Sequence, residues 1–271
     1  MPGVWRLIVD PPARGAWNMA VDEAILEQAG RGESPSTLRL YDWQPACLSL
    51  GSAQPFADAD VVRLQERGWE LVRRPTGGRA ILHVDELTYS VSAAASDALV
   101  AGSLLESYNR LAAALLHGVR FLGLDAQLKD APGPDRHSKN PVCFEVPSAY
   151  EITVDGRKLI GSAQARRRGG VLQHGSLPLH GALERITDAL AYQDDHARQA
   201  AARRLQARAA SVQSVLQSLV SWNDAAAAIV RGFEEALGVC FERGRLTETE
   251  TQRAHTLVQE KYGSAEWTQR A

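Results

Sequence analysis

The spacing of hydrophobic positions changes repeatedly along this chain. In "WNMAVDEAILEQAG" (17–30), Ala20, Val21, Ala24 and Ile25 recur at helical spacing, with Asn18 as a cap and Gly30 as a stop. "TLRLYDW" then alternates apolar and polar like a half-buried strand, and "ACLSLG" reads as another. "DADVVRLQERG" predicts a short helix capped by Asp58 or Asp60 and closed at Gly68. "WELVRR", "RAILH" and "ELTYSVS" carry Val, Ile, Leu and Tyr at strand density. "SLLESYNRLAAALLHGVRFLG" predicts a helix from Ser103 to Gly123.

Residues 130–147 hold four prolines and read as a long irregular loop. Asp155-Gly156, between two alternating runs, is a strong hairpin signal. It pairs Val154 with Arg157 and Thr153 with Lys158, and simple alternation then puts Lys158 on one face with Ile160 and Ser162. "RRRGG" reads as the next turn and "VLQHGSLPL" as the next strand. Beyond residue 180 the period is helical over 182–191, 197–219 in pieces, 222–237 and 247–261, with a short strand "GVCFERG" before the last. Short turns between strands and segregated helices predict an α+β fold with a mixed, mostly antiparallel sheet flanked by helices.

Composition narrows the function classes. The chain has 271 residues, is 45% hydrophobic and carries a net charge of −2, which argues against a dedicated nucleic-acid binder. No apolar run approaches the roughly 18 residues of a membrane span, and the N-terminus lacks the basic start and apolar core of a signal peptide. Cys47, Cys143 and Cys240 fit neither a disulfide framework nor a zinc site, and a reducing cytoplasm suits them best. No metal-ligand cluster stands out. Lysines are scarce, at positions 129, 139, 158 and 261 only.

Candidate chemistry clusters in "RRPTGGRA", where Arg73, Arg74, Gly77, Gly78, Arg79 and Ala80 interrupt a strand pair. Glycines let a ligand lie against bare backbone, and arginines offer forked donors to phosphate or carboxylate. The plain alternative is a Gly-Gly turn with solvated arginines. The sequence is neither a P-loop nor G-x-G-x-x-G. Cys143, on the proline-rich loop, is a candidate nucleophile or an inert small hydrophobe. A thiol acts only as the thiolate, and a nearby cation would lower its ordinary pKa of about 8.5. Lys158 is such a cation, or else an exposed strand lysine paired with Glu151. His83 and His174 are candidate bases or structural strand histidines.

Taken in order, "NMAVDEAIL", "TLRLYDWQPACLSLGSAQ", "RRPTGGRAILHVDELTYSV", "CF..PS.YEI", "GRKLIGSAQ", "LQHGSL" and "KYGSAEW" resemble the lipoate-protein ligase A family of the biotin/lipoate A/B protein ligase superfamily. The resemblance spans almost the whole chain. It is greatest to the LipM-type octanoyltransferase branch, which carries a cysteine upstream of the "GRK" lysine, as Cys143 precedes Lys158 here. It implies a single catalytic domain over 1–271, with its core at about 30–220 and a helical extension over 221–271. It further implies Cys143 as the nucleophile that takes octanoyl as a thioester. Lys158 would lower the thiol pKa and place the acyl carbonyl. Arg73, Arg74, Gly77, Gly78, Arg79, Ala80, His83 and Ser162 would form the substrate pocket. One departure stands out. The family usually shows His-Asp where this chain has His83-Val84, so no role is carried over for that aspartate.

The activity so implied moves octanoyl from octanoyl-acyl-carrier protein to the lysine of a lipoyl domain, that of a glycine cleavage H protein or a 2-oxoacid dehydrogenase E2. It needs no cofactor, nucleic acid, membrane or metal, and a monomer is expected. Three alternatives stay open: an ATP- and Mg-dependent lipoate ligase, an amidotransferase between lipoyl domains, and an inactive module that only docks lipoyl domains.

Overall fold

A computed structural model describes residues 3–129, 141–145 and 151–270. The chain opens with strand β1 (Val4–Val9) and helix α1 (Gly15–Arg31). Strands β2 (Thr37–Tyr41) and β3 (Cys47–Leu50), helix α2 (Val61–Glu66) and strands β4 (Glu70–Arg73), β5 (Ile81–His83) and β6 (Glu86–Ala94) follow. Helix α3 (Leu104–Phe121) leads to β7 (Gln127–Lys129), β8 (Glu151–Val154), β9 (Arg157–Arg167) and β10 (Gly170–Pro178). Then come α4 (Asp195–Arg208), α5 (Val212–Leu216), α6 (Trp222–Leu237), β11 (Cys240–Arg243), α7 (Glu248–Leu257) and α8 (Ala265–Gln269).

Among the described residues the strands form two sheets. The larger has the order β11-β1-β2-β6-β10-β9-β8-β7, and the smaller β4-β3-β5. Pairing is parallel in β1–β11, β1–β2 and β3–β4 and antiparallel elsewhere, so the fold is α+β with the expected mixed, mostly antiparallel sheet. Strand alternation splits the core. Trp5, Leu7, Leu38 and Leu40 join Leu111 and Leu115 of α3 and Ile229 and Phe233 of α6 on one face. Ile8 and Tyr41 turn to the other face, against Met19, Val21 and Ile25 of α1 and Leu257 of α7. Helices α3 and α6 cross closely because Gly118 meets Gly232, where any side chain would overlap backbone. A third cluster, including Leu48, Leu50, Val142, Phe144 and Leu205, covers the small sheet. No described helix is long and apolar enough to cross a membrane.

Local signals account for most boundaries. Ser103 and Glu106 form the capping box of α3, and Asp60 rather than Asp58 caps α2. Three expectations need correction. Asn18 does not cap α1. The helix starts three residues earlier, and Asn18 is buried, donating to the carbonyls of Ala13 and Asp42 and accepting from Arg39. The helix ends on Gly32, left-handed at φ 76°, while Gly30 is small because the β9–β10 turn lies against it. That turn is Arg168-Gly169 alone, and Arg166 and Arg167 belong to β9.

The Asp155-Gly156 hairpin pairs Val154 with Arg157 and Thr153 with Lys158 as expected. Register then slips, and Ile152 faces Ile160. This bulge breaks the alternation that put Lys158 and Ile160 on one face. Ile160 enters the main core, whereas Lys158 shares with Gly161 the side that meets Cys143. Of the proline-rich loop, residues 130–140 and 146–147 lie outside the described residues.

Candidate active site

The site lies where the small sheet meets β9 and β10. Cys143 opens a short 3₁₀ turn, Cys143–Glu145. Its backbone is strapped to the glycine-rich segment. Its N–H donates to the Ala80 carbonyl at 3.1 Å, and the Ala80 N–H donates to the Pro141 carbonyl at 2.9 Å. Val142 and Phe144 face an apolar cavity with Leu183 and Ile186, while the Cys143 side chain faces another. That second cleft is mainly apolar, with Met19, Tyr41, Trp43, Ile81 and Thr88 among its walls. Strands β5 and β6 contribute Ile81, His83 and Thr88.

Polar groups line the cleft or hold its backbone. Lys158, 5% exposed, donates to the Cys143 carbonyl at 3.2 Å and pairs with Glu151 at 2.7 Å. The plain reading of this lysine was thus right about its partner and wrong about exposure. Arg74, 3% exposed, lines the cleft beside Gly78. Burial pushes its guanidinium down to about 10, a fall that the Cys143 sulfur opposes. Ser162 lines the wall and meets the Tyr89 hydroxyl at 2.7 Å. A Cβ on Gly161 would stand 3.5 Å from the Cys143 sulfur, in ordinary van der Waals contact, so this backbone lies against the thiol.

Not every residue of the motif reaches the cleft. Arg73 is fully buried but turns away, bonding the carbonyls of Gly51, Gln54 and Thr268. Gly77 is exposed, and it and Arg79 serve the site through carbonyls that hold Arg74. Ala80 acts through its backbone, as above. His83 lines the cleft with its ring stacked on Trp43 at 3.9 Å, and it bonds Glu86 at 2.7 Å and Ser49 at 2.8 Å. Glu86 also accepts from Thr88 and Ser176.

Sequence reasoning missed a second buried chain. Thr76 Oγ1 lies 2.6 Å from His174 Nε2, and His174 Nδ1 lies 3.1 Å from Asp22. Asp22 also meets Arg39, Tyr41 and Ser90. Burial alone would raise the Asp22 carboxyl, but the His174 bond, the Arg39 charge and the Ser90 bond together hold it below the usual range. For His174, burial lowers the ring and the Asp22 bond offsets this only in part. Thr76 lies inside "RRPTGG" and His174 inside "LQHGSL", yet nothing in their spacing shows that they touch. Among the described residues no group of three or more His, Cys, Asp or Glu side chains is placed to hold a metal ion.

Residues 14–234 match the lipoyl protein ligase A/B catalytic domain. The chain is 42% identical over 271 residues to octanoyltransferase LipM of Kyrpidia tusciae, covering 98% of each. It is 36% identical to octanoyltransferase LipM of Bacillus subtilis, covering 97% of each. A bipartite lipoate protein ligase from Thermoplasma acidophilum superposes with a TM-score of 0.81 at 27% identity, over 99% of this chain and 96% of that one. A lipoate-protein ligase A bound with ATP gives 0.80 at 27% identity over 99% of each. The chain belongs to the lipoyl protein ligase A/B catalytic domain family.

Proposed function

We propose that this chain is an octanoyltransferase of lipoate biosynthesis that carries the acyl group as a thioester on Cys143. The observation that supports this most directly is the position of Cys143. Its sulfur faces a largely apolar cleft, on a backbone pinned by Ala80 and Lys158, in a chain whose relatives are named octanoyltransferase.

The donor is octanoyl-acyl-carrier protein and the acceptor a lysine of a lipoyl domain, of a glycine cleavage H protein or a 2-oxoacid dehydrogenase E2. In the first step the Cys143 thiolate attacks the octanoyl carbonyl carbon. A new C–S bond forms, the bond to the carrier sulfur breaks, and the carrier thiolate leaves and takes up a proton. One thioester replaces another, so the step is nearly balanced and divides one difficult transfer into two easier ones. In the second step the neutral amine of the acceptor lysine attacks the same carbonyl. The amide C–N bond forms, Cys143 leaves as thiolate, and the nitrogen gives its extra proton to that thiolate or to solvent. The acceptor amine, near pKa 10.4 when free, must first shed its own proton.

The chain's residues divide this work. Met19, Tyr41, Trp43 and Ile81 surround the tail, and Gly78 and Gly161 leave it room beside the sulfur. Lys158 has three N–H donors, of which, among the described residues, two serve the Cys143 carbonyl and Glu151. The third is offered to the acyl oxygen. His83 and Ser162 shape the wall on either side. The enzyme works in the cytoplasm as a monomer and without a cofactor.

The test is a donor comparison with an unmodified lipoyl domain as acceptor. With octanoyl-acyl-carrier protein alone, the intact mass should show an octanoyl adduct that hydroxylamine removes and that Cys143→Ala abolishes. Pyrophosphate release from ATP and free octanoate, with no adduct, would establish a ligase instead. Acceptance of an octanoylated H protein with refusal of the carrier protein would establish an amidotransferase.

A further inference from the structure

We infer that Ile81 is the specificity-determining residue for acyl-chain length: it closes the acyl cleft against the second apolar cavity, so that longer chains are refused. The inference rests on the reading of that cleft as the acyl site.

The two cavities lie on opposite sides of one thin partition, made by strand β5 and residues 141–144. Ala80 bridges Val142 in parallel, with the Ala80 N–H on the Pro141 carbonyl and the Cys143 N–H on the Ala80 carbonyl. Side chains divide across this layer. Along β5, Leu82 lines the second cavity and His83 the acyl cleft, as strand alternation requires. Val142 and Phe144 likewise line the second cavity and Cys143 the cleft. Strand β10 splits in the same way, with Gly175 on the cleft and Ser176 on the cavity beyond.

Ile81 is the exception. Among the described residues it alone lines both spaces. It is 8% exposed, yet it joins none of the three core clusters formed by the described residues, although its neighbour Ala80 belongs to the third. Its cross-strand partner on β3 is Ser49, a small residue that offers little to pack against. At this one position the partition is a side chain rather than backbone. Beyond it stand Leu82, Leu183, Ile186 and Leu205, an apolar lining suited to methylenes. The polar groups on that side are already engaged, Ser176 with Glu86 and Arg185 with Asp85. With Ile81 in place, a tail too long for the cleft must push a branched side chain against strand backbone, which is overpacking. With the side chain cut back to Cβ, the two spaces join, and each further methylene gains apolar burial instead.

The test compares octanoyl- and dodecanoyl-acyl-carrier protein as donors, with an unmodified lipoyl domain as acceptor. The parent should favour octanoyl. Ile81→Ala should raise the dodecanoyl-to-octanoyl ratio of kcat/KM at least about tenfold. Ile81→Val deletes one methyl, keeps the β-branch and should move the ratio the same way by about threefold, which decides the matter if the alanine variant does not fold. Ile81→Ala/Ile186→Phe refills the second cavity and should return the ratio toward that of the parent, a reversal that general loosening of the cleft would not produce. An unchanged ratio in the folded Ile81 variant, or a raised ratio that Ile186→Phe leaves in place, overturns the inference. Calorimetric binding of free octanoate and dodecanoate to the same proteins should follow the same ratios without any turnover. If the parent forms no octanoyl adduct, the acyl-transfer reading fails, and these binding ratios still decide the role of Ile81.

Discussion

Gly51 lies directly beneath Gly78, so close that a methyl group on Gly51 would overlap the Gly78 carbonyl oxygen. Gly78 lines the cleft and has φ 93°, where L side chains are strained. The end of β3 is thus the seat on which the glycine-rich segment rests.

Gly51→Ala should therefore unseat that segment. The obstructing atom is backbone and cannot swing aside, so Gly78 must move away from the cleft. The expected outcome is at least about a tenfold loss of acyl transfer, with a stability cost of about 1–3 kcal/mol from overpacking. Steady-state rates and a thermal melt of the same preparation check both.

His174 gives the stability a defined pH dependence. Its folded pKa is depressed below 6.5 by burial, so between that value and 6.5 the unfolded chain binds the extra proton and the folded one does not. The contribution is fully present above about 6.5 and is lost as pH falls through the folded pKa. The carboxyl of Asp22, also depressed, adds a loss in the same direction at lower pH, below its ordinary 3.8. Comparing melts of the parent and His174→Gln from pH 7.5 to pH 5, the advantage of the parent should shrink on acidification. An advantage that grows instead would contradict the assignment.

The Lys158–Glu151 pair should separate stability from function. Lys158→Met takes away the ammonium that pairs with Glu151 and should cost about 1–3 kcal/mol. Adding Glu151→Gln should recover part of that stability, since the carboxylate that lost its ammonium is gone. Acyl transfer should stay low in the double variant, because the hydrogen bond to the Cys143 carbonyl is still missing. Denaturant titrations of the four members of the cycle, with transfer rates for each, provide the check.

What the sequence made legible were features set by neighbours along the chain. The hairpin at Asp155-Gly156 and the Ser103 capping box both depend on residues a few positions apart. What it hid depends on distant partners. Strand β1, "VWRLIV", gains its place only by lying between β2 and the remote β11. Asn18 looked like a cap because caps are local. Its real partners, Asp42 and Arg39, come from β2 and the turn beyond it. In the site, Cys143, Lys158 and Arg74 stood out by residue type and motif. The trap holding Lys158 in an ion pair depends on burial, and the His174–Thr76 contact bridges 98 positions. The bulge after Lys158, which turns that lysine toward Cys143, breaks the very alternation used to place it.

The C-terminal helix α8 reaches the site through Arg73. Trp267 Nε1 donates to the Arg73 carbonyl at 2.8 Å, and the Arg73 guanidinium donates to the Thr268 carbonyl at 2.9 Å and to the Gly51 carbonyl at 2.8 Å. The indole is itself held between Lys261 at 4.1 Å and Arg270 at 3.3 Å. Arg73 thereby ties α8 to the same Gly51 turn that seats Gly78. Trp267→Ala removes the indole and its hydrogen bond together and should cost about 3 kcal/mol, the low end for a large aromatic, since this ring is only half buried. Trp267→Phe keeps a ring between the two cations and loses the donor, which should cost about 1 kcal/mol. Urea titrations should show both as lower midpoints at an unchanged slope. If the two variants fall equally, the hydrogen bond to Arg73 carries the tether and the ring packing contributes nothing. If only the alanine variant also loses acyl transfer at 25 °C, the packed ring is what keeps the Gly51 turn in register beneath Gly78.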